Sequence, residues 1–345
     1  SSVLKKLLKE SPQFEKADQA AMLYGESQFR LGRAEQARTV LQNFATRWPK
    51  SESLDRAELI CALAELSLSE NESAMARLEA LLKRSPNGSC AGSAALALGQ
   101  CRQSRGDLAG ARAMYEIAAK SGDAAVVFDA GLGAARLART GGDLAGAENA
   151  LKALEGAKGN PDQAAQLSME RGKLLMQQGK ADDAAAIFGD VAKSGPDGLK
   201  PAAQLWLAKC DLKAGRADGA SRAAKQLQQL AESVGNSELL PEILFDRAVA
   251  LSQSGDDAGA VVGWTDWQKR FANHALAAQA GASRAACHYR LGQYEQSLAL
   301  CRDLVERHGD YPRMSEVVLL MGEDQFFLEQ YADASETYGQ FIERF

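Results

Sequence analysis

The hexamer GDLAGA occurs twice in this chain, at residues 106–111 and 142–147, and the two copies start 36 residues apart. Similar short turns recur on both sides. Their first residues are Gly32, Ser69, Gly106, Gly142, Gly179, Gly215, Gly255, Gly292 and Glu329, at successive spacings of 37, 37, 36, 37, 36, 40, 37 and 37. A fixed period of this length is the signature of a repeat architecture, in which one supersecondary unit is copied along the chain.

Each anchor carries the same surroundings. Seven residues before it stands Gly or Ala every time, from Gly25 and Ala62 to Ala285 and Gly322. Five residues after it stand Ala37, Ala74, Ala111, Ala147, Ala184, Ala220, Ala260, Ser297 and Ala334. Helices cross closely only where side chains are small, so these columns predict the crossing of a helix before the turn (helix A) with one after it (helix B). Nine after the anchor the residue is large in most repeats, as in Leu41, Leu78, Tyr115, Leu151, Phe188, Trp264 and Tyr338. Three further on comes a second apolar column with Phe44, Leu81, Leu154, Leu227 and Trp267, and the two place one stripe on helix B. Pro49, Pro86 and Pro196, seventeen after their anchors, predict where helix B stops.

With Gly172, Gly179, Ala184, Phe188 and Pro196 as its clearest example, this pattern resembles the tetratricopeptide repeat (TPR). The resemblance implies an all-α fold: a right-handed α-solenoid of stacked antiparallel helix hairpins, with helix A on the concave side. Two departures stand out. The aromatic that the family places four before the anchor is absent at Gln28, Arg102 and Leu175, and the period exceeds the family's usual ~34 residues. The longer period, with segments such as LQNFATRWPKSES and YGQFIERF, is similar to the repeats of bacterial Tol–Pal-associated and outer-membrane assembly proteins.

The same frame predicts the layout. Leu4, Leu7 and Pro12 match helix B of a preceding unit, so residues 1–12 are expected to be an orphan helix B. Residues 13–233 hold repeats one to six. After the longer interval, with Gly235 and Pro241, residues 234–345 hold repeats seven to nine. Aromatics shift there as well: thirteen of 22 lie after residue 240, which predicts a change of curvature near 233–241. Neither end shows a polar cap, so the sequence reads as a piece of a longer array, able to self-associate through its ends.

Chemistry is sparse. A net charge of −5 is not the basic excess of a nucleic-acid binder, and no apolar run reaches the ~18 residues of a membrane span. No nucleophile–base pair or phosphate loop is found. GLGAAR at 131–136 lacks the last glycine of a dinucleotide fingerprint and lies inside helix A. Cys287, His288, Cys301 and His308 are the densest group of metal-binding types, yet neighbours on a helix point about 100° apart, which speaks against zinc. Cys287 and Cys301 are the one pair left open for a disulfide; buried thiols and surface histidines are the plainer expectation. The reading is a non-enzyme with no cofactor or metal.

What remains is surface. Six before the anchor stand Glu26, Leu63, Gln100, Arg136, Lys173, Lys209, Val249, Ala286 and Glu323. Arg136, Lys173 and Lys209, with Arg139 and Lys213 nearby, predict a basic ladder in the middle of the groove, and Glu26, Glu316 and Glu323 mark the outer units. The functional expectation is a scaffold that binds a protein or peptide segment, an acidic one where the basic ladder takes part, against the alternative that the basic face is merely solvated. A structural spacer or self-assembly element is the first rival. The non-catalytic repeat region of a larger enzyme or of an envelope or secretion complex is the second. Unpatterned cysteines fit a reducing compartment, whereas the envelope resemblance implies the periplasm; both stay open.

Overall fold

The computed structural model describes residues 14–156, 160–216 and 218–345, and the regular structure among them is α-helix throughout. The expected orphan helix over residues 1–12 lies outside the described residues. Two compact units divide between Leu174 and Leu175.

In the first unit, repeats one to four pair α1 (Ala17–Arg30) with α2 (Ala34–Leu41) and α3 (Phe44–Arg47), α4 (Leu54–Ser67) with α5 (Asn71–Arg84), α6 (Ala91–Ser104) with α7 (Leu108–Ala118), and α8 (Ala124–Thr140) with α9 (Leu144–Ala153). Helix α10 (Pro161–Gln177) is helix A of repeat five and crosses the division. The second unit continues with α11 (Ala181–Ser194), helix B of repeat five. Repeats six to nine then pair α12 (Lys200–Lys213) with α13 (Gly219–Val234), α14 (Leu240–Gln253) with α15 (Asp257–Arg270), α16 (Ala277–Arg290) with α17 (Tyr294–Arg307), and α18 (Met314–Phe327) with α19 (Tyr331–Arg344).

Helices that follow one another in the chain pack together, α1 on α2, and α3 through α9, in the first unit and α11 through α19 in the second, and successive A helices also touch: α1 with α4, α4 with α6, α6 with α8, then α12 with α14, α14 with α16 and α16 with α18. This is an all-α solenoid of stacked helix hairpins, and within each unit the A helices share one face.

The period is written into the backbone. All nine anchors have positive φ, between 61° and 86°, including Ser69 at 63° and Glu329 at 61°. Glycine enters that region without penalty, because it has no Cβ to meet the following carbonyl. The remaining positive φ among described residues belongs to Gly235, in the longer loop between α13 and α14.

Gly106 makes the turn, and Asp107 caps α7 by accepting the Gly110 amide at 2.9 Å. A Cβ on Gly110 would sit 2.0 Å from that capping carboxylate, so the third helical position is also glycine. Ala111, fully buried, is the crossing residue. Asp143 with Gly146 and Asp256 with Gly259 repeat the cap at 2.8 and 2.9 Å.

The small residue seven before the anchor meets the large residue nine after it. A Cβ on Gly25 would lie 2.5 Å from Leu41, on Gly99 2.9 Å from Tyr115, and on Gly322 2.6 Å from Tyr338. The column five after the anchor is buried in eight repeats, from Ala37 to Ala334. Repeat six departs from it. There α13 begins four residues after the anchor rather than two, so Gly219 takes the buried place and Ala220 is only half-buried. A side chain at 219 would strike the Asp211 carbonyl oxygen at 2.7 Å.

Helix B ends two residues before proline in repeats one, two and five, at Arg47, Arg84 and Ser194. In repeat one it is also broken at Gln42 and Asn43, yet Leu41 and Phe44 both remain fully buried. The missing aromatic four before the anchor is replaced in two repeats by an acid that holds a guanidinium of helix B. Arg77 binds Glu65 at 3.0 Å and Glu58 at 2.7 Å, and Arg222 binds Asp211 at 2.7 Å.

Candidate functional site

The shared face of the A helices is where the expected cations lie. In the first unit, α8 supplies Arg136 and Arg139, and α10 supplies Glu170 and Lys173. Glu170 stands nine before its anchor, and its residue is 1% exposed. Arg136 Nε reaches one of its oxygens at 3.1 Å, Lys173 Nζ the same oxygen at 2.9 Å, and Arg139 Nη2 the other at 3.2 Å. Three cations therefore surround one buried carboxylate. Burial works against its charge, but Lys173, Arg136 and Arg139 outweigh that and hold the carboxyl below its ordinary range. The cluster has two positive charges in excess. Arg139 is largely covered, and the Arg136 side chain is 42% exposed.

In the second unit the electrostatics differ. Lys209 Nζ lies 2.5 Å from Glu242 Oε1 and 3.2 Å from Asp246 Oδ2, both on α14, and 5.0 Å from the centre of the Trp206 ring. Burial disfavours its charge, but Asp246 and Glu242 prevail and keep it a cation. Two carboxylates thus face one ammonium. Lys213, also on α12, is exposed.

Sequence reading picked out the cations and passed over the acids between them. Glu170 and Asp246 occupy the same repeat position, nine before the anchor, and each faces the cation six before the anchor of the preceding repeat. The signal was in the frame. It was obscured because that column otherwise holds Leu23, Ile60, Ala97, Gly133, Trp206, Ser283 and Leu320.

The cysteines are free thiols, all buried except the half-buried Cys90, so Cys287 and Cys301 are not joined. Burial pushes Cys61 and Cys301 up to about 12 and Cys210 up to about 11, far from the thiolate that nucleophilic chemistry needs. Among the described residues no group of three or more His, Cys, Asp or Glu is placed to hold a metal ion, and no helix is long and apolar enough to cross a membrane.

Three sequence profiles, each described as tetratricopeptide repeat, match residues 19–51, residues 62–126 with 132–198, and residues 175–233. No curated protein matches the chain by sequence. Solved structures share the fold. A tetratricopeptide repeat protein from Parabacteroides merdae superposes with a TM-score of 0.54 at 20% identity, over 71% of this chain and 90% of its own. A signal transduction ATPase with numerous domains and a tetratricopeptide repeat sensor, from Pyrococcus horikoshii, gives 0.67 at 14% identity, over 90% of this chain and 52% of its own. The type IV pilus biogenesis factor PilW gives 0.54 at 20% identity, over 67% of this chain and 99% of its own.

Proposed function

The chain belongs to the tetratricopeptide repeat family, and we propose that it is a protein-binding scaffold whose A-helix face takes an acidic segment of a partner. The observation that carries this reading is the cluster of Arg136, Arg139 and Lys173 on Glu170, three cations held by one buried carboxylate. The carboxylate fixes the cations in place, so less side-chain freedom is lost when an anion binds. The two surplus charges suit an Asp or Glu side chain or a chain-terminal carboxylate. Lys209 is not assigned to this site, because Glu242 and Asp246 already hold it. The family's fold typically carries no catalytic machinery, and the buried, high-pKa thiols add none here.

Fluorescence anisotropy with a labelled Gly/Ser peptide ending in Glu-Asp tests the assignment at low salt, where charge steering is strongest. Arg136→Gln with Lys173→Gln should weaken binding about tenfold, the scale of one lost charge-assisted contact. Lys209→Gln should leave it nearly unchanged. Equal affinity for all three proteins would remove the acidic-partner reading.

A second reading, self-assembly, is favoured by exposed apolar side chains on α18 and α19, with Phe326 52%, Tyr331 58% and Ile342 78% exposed. Sedimentation velocity separates the two readings: a concentration-dependent mass that Ile342→Glu abolishes would support assembly. A place within a larger enzyme or envelope complex draws its support from the sensor-bearing ATPase and the pilus factor, which share the fold.

A further inference from the structure

The A-helix face changes character between repeats eight and nine. In three earlier pairs the residue six before the anchor spans to the next A helix: Glu26 to Arg56 at 2.8 Å, Arg136 to Glu170 at 3.1 Å, Lys209 to Glu242 at 2.5 Å. In repeat eight that residue is Ala286, which cannot span. Ten before the anchor, the first seven repeats carry Met, Leu or Phe; repeat eight carries Ala282. Ala282 and Ala286 thus stand where every other repeat has a longer side chain, and the residue between them that shares their face is the short Ser283.

A cleft of about 370 Å³ opens there between α16 and α18. Its far wall is apolar, with Val317, Leu320 and the 38% exposed Leu319. Glu316 and Glu323 stand at its rim. Arg313 holds Glu316 through Nε at 2.7 Å. Glu323 faces the Tyr289 phenol, which burial first and then the Glu323 charge push up. The lining therefore joins an oily wall to a carboxylate with no cation paired to it among the described ion pairs.

We propose that this cleft binds one apolar side chain of a partner segment that carries Lys or Arg beside it. The wall of Val317, Leu319 and Leu320 supplies affinity by taking apolar surface from water. Glu323 selects the sign of the neighbouring charge. This rests on the reading of the A-helix face as the partner-binding surface, but it places a second subsite, of opposite charge preference, in the second unit.

The test uses the full chain and three labelled probes in a Gly/Ser background: Lys-Leu-Lys, Glu-Leu-Glu and Lys-Ser-Lys. The expected result is that Lys-Leu-Lys binds about tenfold tighter than either control, the scale of one buried leucine. Ala282→Leu restores the residue type that other repeats carry, so it is compatible with the fold. It should cut Lys-Leu-Lys binding about tenfold by filling the cleft. Glu323→Gln should erase the preference for Lys-Leu-Lys over Glu-Leu-Glu while leaving circular dichroism unchanged. Unchanged binding in Ala282→Leu, or equal binding of Glu-Leu-Glu by the native chain, overturns the proposal. The Arg136→Gln, Lys173→Gln protein separates the two sites. If it keeps Lys-Leu-Lys binding and loses the acidic peptide, both readings hold. If it keeps both peptides, only the acidic site fails.

Discussion

Asp324 stands five before the ninth anchor, a position filled elsewhere by Ala64, Cys101, Leu137, Cys210, Ala250 and Cys287. It is fully buried and forms no ion pair among the described residues. Burial pushes its carboxyl from 3.8 up to about 7, against an opposing pull from the Ser297 hydroxyl and with a further push from Glu323. The folded chain thus keeps a proton that the unfolded chain releases above about pH 4. Stability should fall as pH rises from about 4 to about 7 and then level off. Urea titrations of the native chain and Asp324→Ala check this. The native chain should lose stability relative to the variant across that window, and a difference independent of pH would contradict it. At the same scale, Ser69 and Glu329 hold left-handed backbone that glycine adopts freely. Replacing either with Gly should stabilise the chain by about 1 kcal/mol, read from the urea midpoint.

At the scale of elements, the contact between α8 and α10 depends on Glu170. Glu170→Ala leaves Arg136, Arg139 and Lys173 facing one another across a buried site, and should cost about 3 kcal/mol in chemical denaturation. A loss below about 1 kcal/mol would mean that the carboxylate is not what seats these cations. Gly25→Ala should cost about 2 kcal/mol, because the new Cβ would overlap Leu41 at 2.5 Å. The helix pairs, their turns and the crossing residues were legible because each depends on residue size or backbone freedom, and these recur in every repeat. Two features were not. The late start of α13 puts position 219 where a Cβ would lie 2.7 Å from the Asp211 carbonyl oxygen, a long-range constraint that no single column reveals. The Glu170 cluster was half legible: Arg136 and Lys173 align in one column, but Arg139 lies outside it and the anchor acid sits in a column of otherwise unrelated types.

For the whole molecule, stability is expected to be a sum of helix pairs and their nearest-neighbour interfaces, because each pair covers its apolar stripe only by packing on adjacent pairs. That makes the fold readable from period alone and the function much less so, since a face of A helices accepts whatever its exposed residues select. The cleft beside Ala286 shows how such selection arises: not from an added motif, but from a repeat that omits its usual side chains. The most direct test of the repeat account is to excise one period. Deleting residues 70–106 joins Ser69 to Asp107 and removes one turn-to-turn unit of the first unit. The shortened chain should keep undiminished helical ellipticity per residue and unfold cooperatively, whereas deleting only residues 70–87 should lose both. Equal damage from the two deletions would contradict the claim that this chain is built as a row of interchangeable helix pairs.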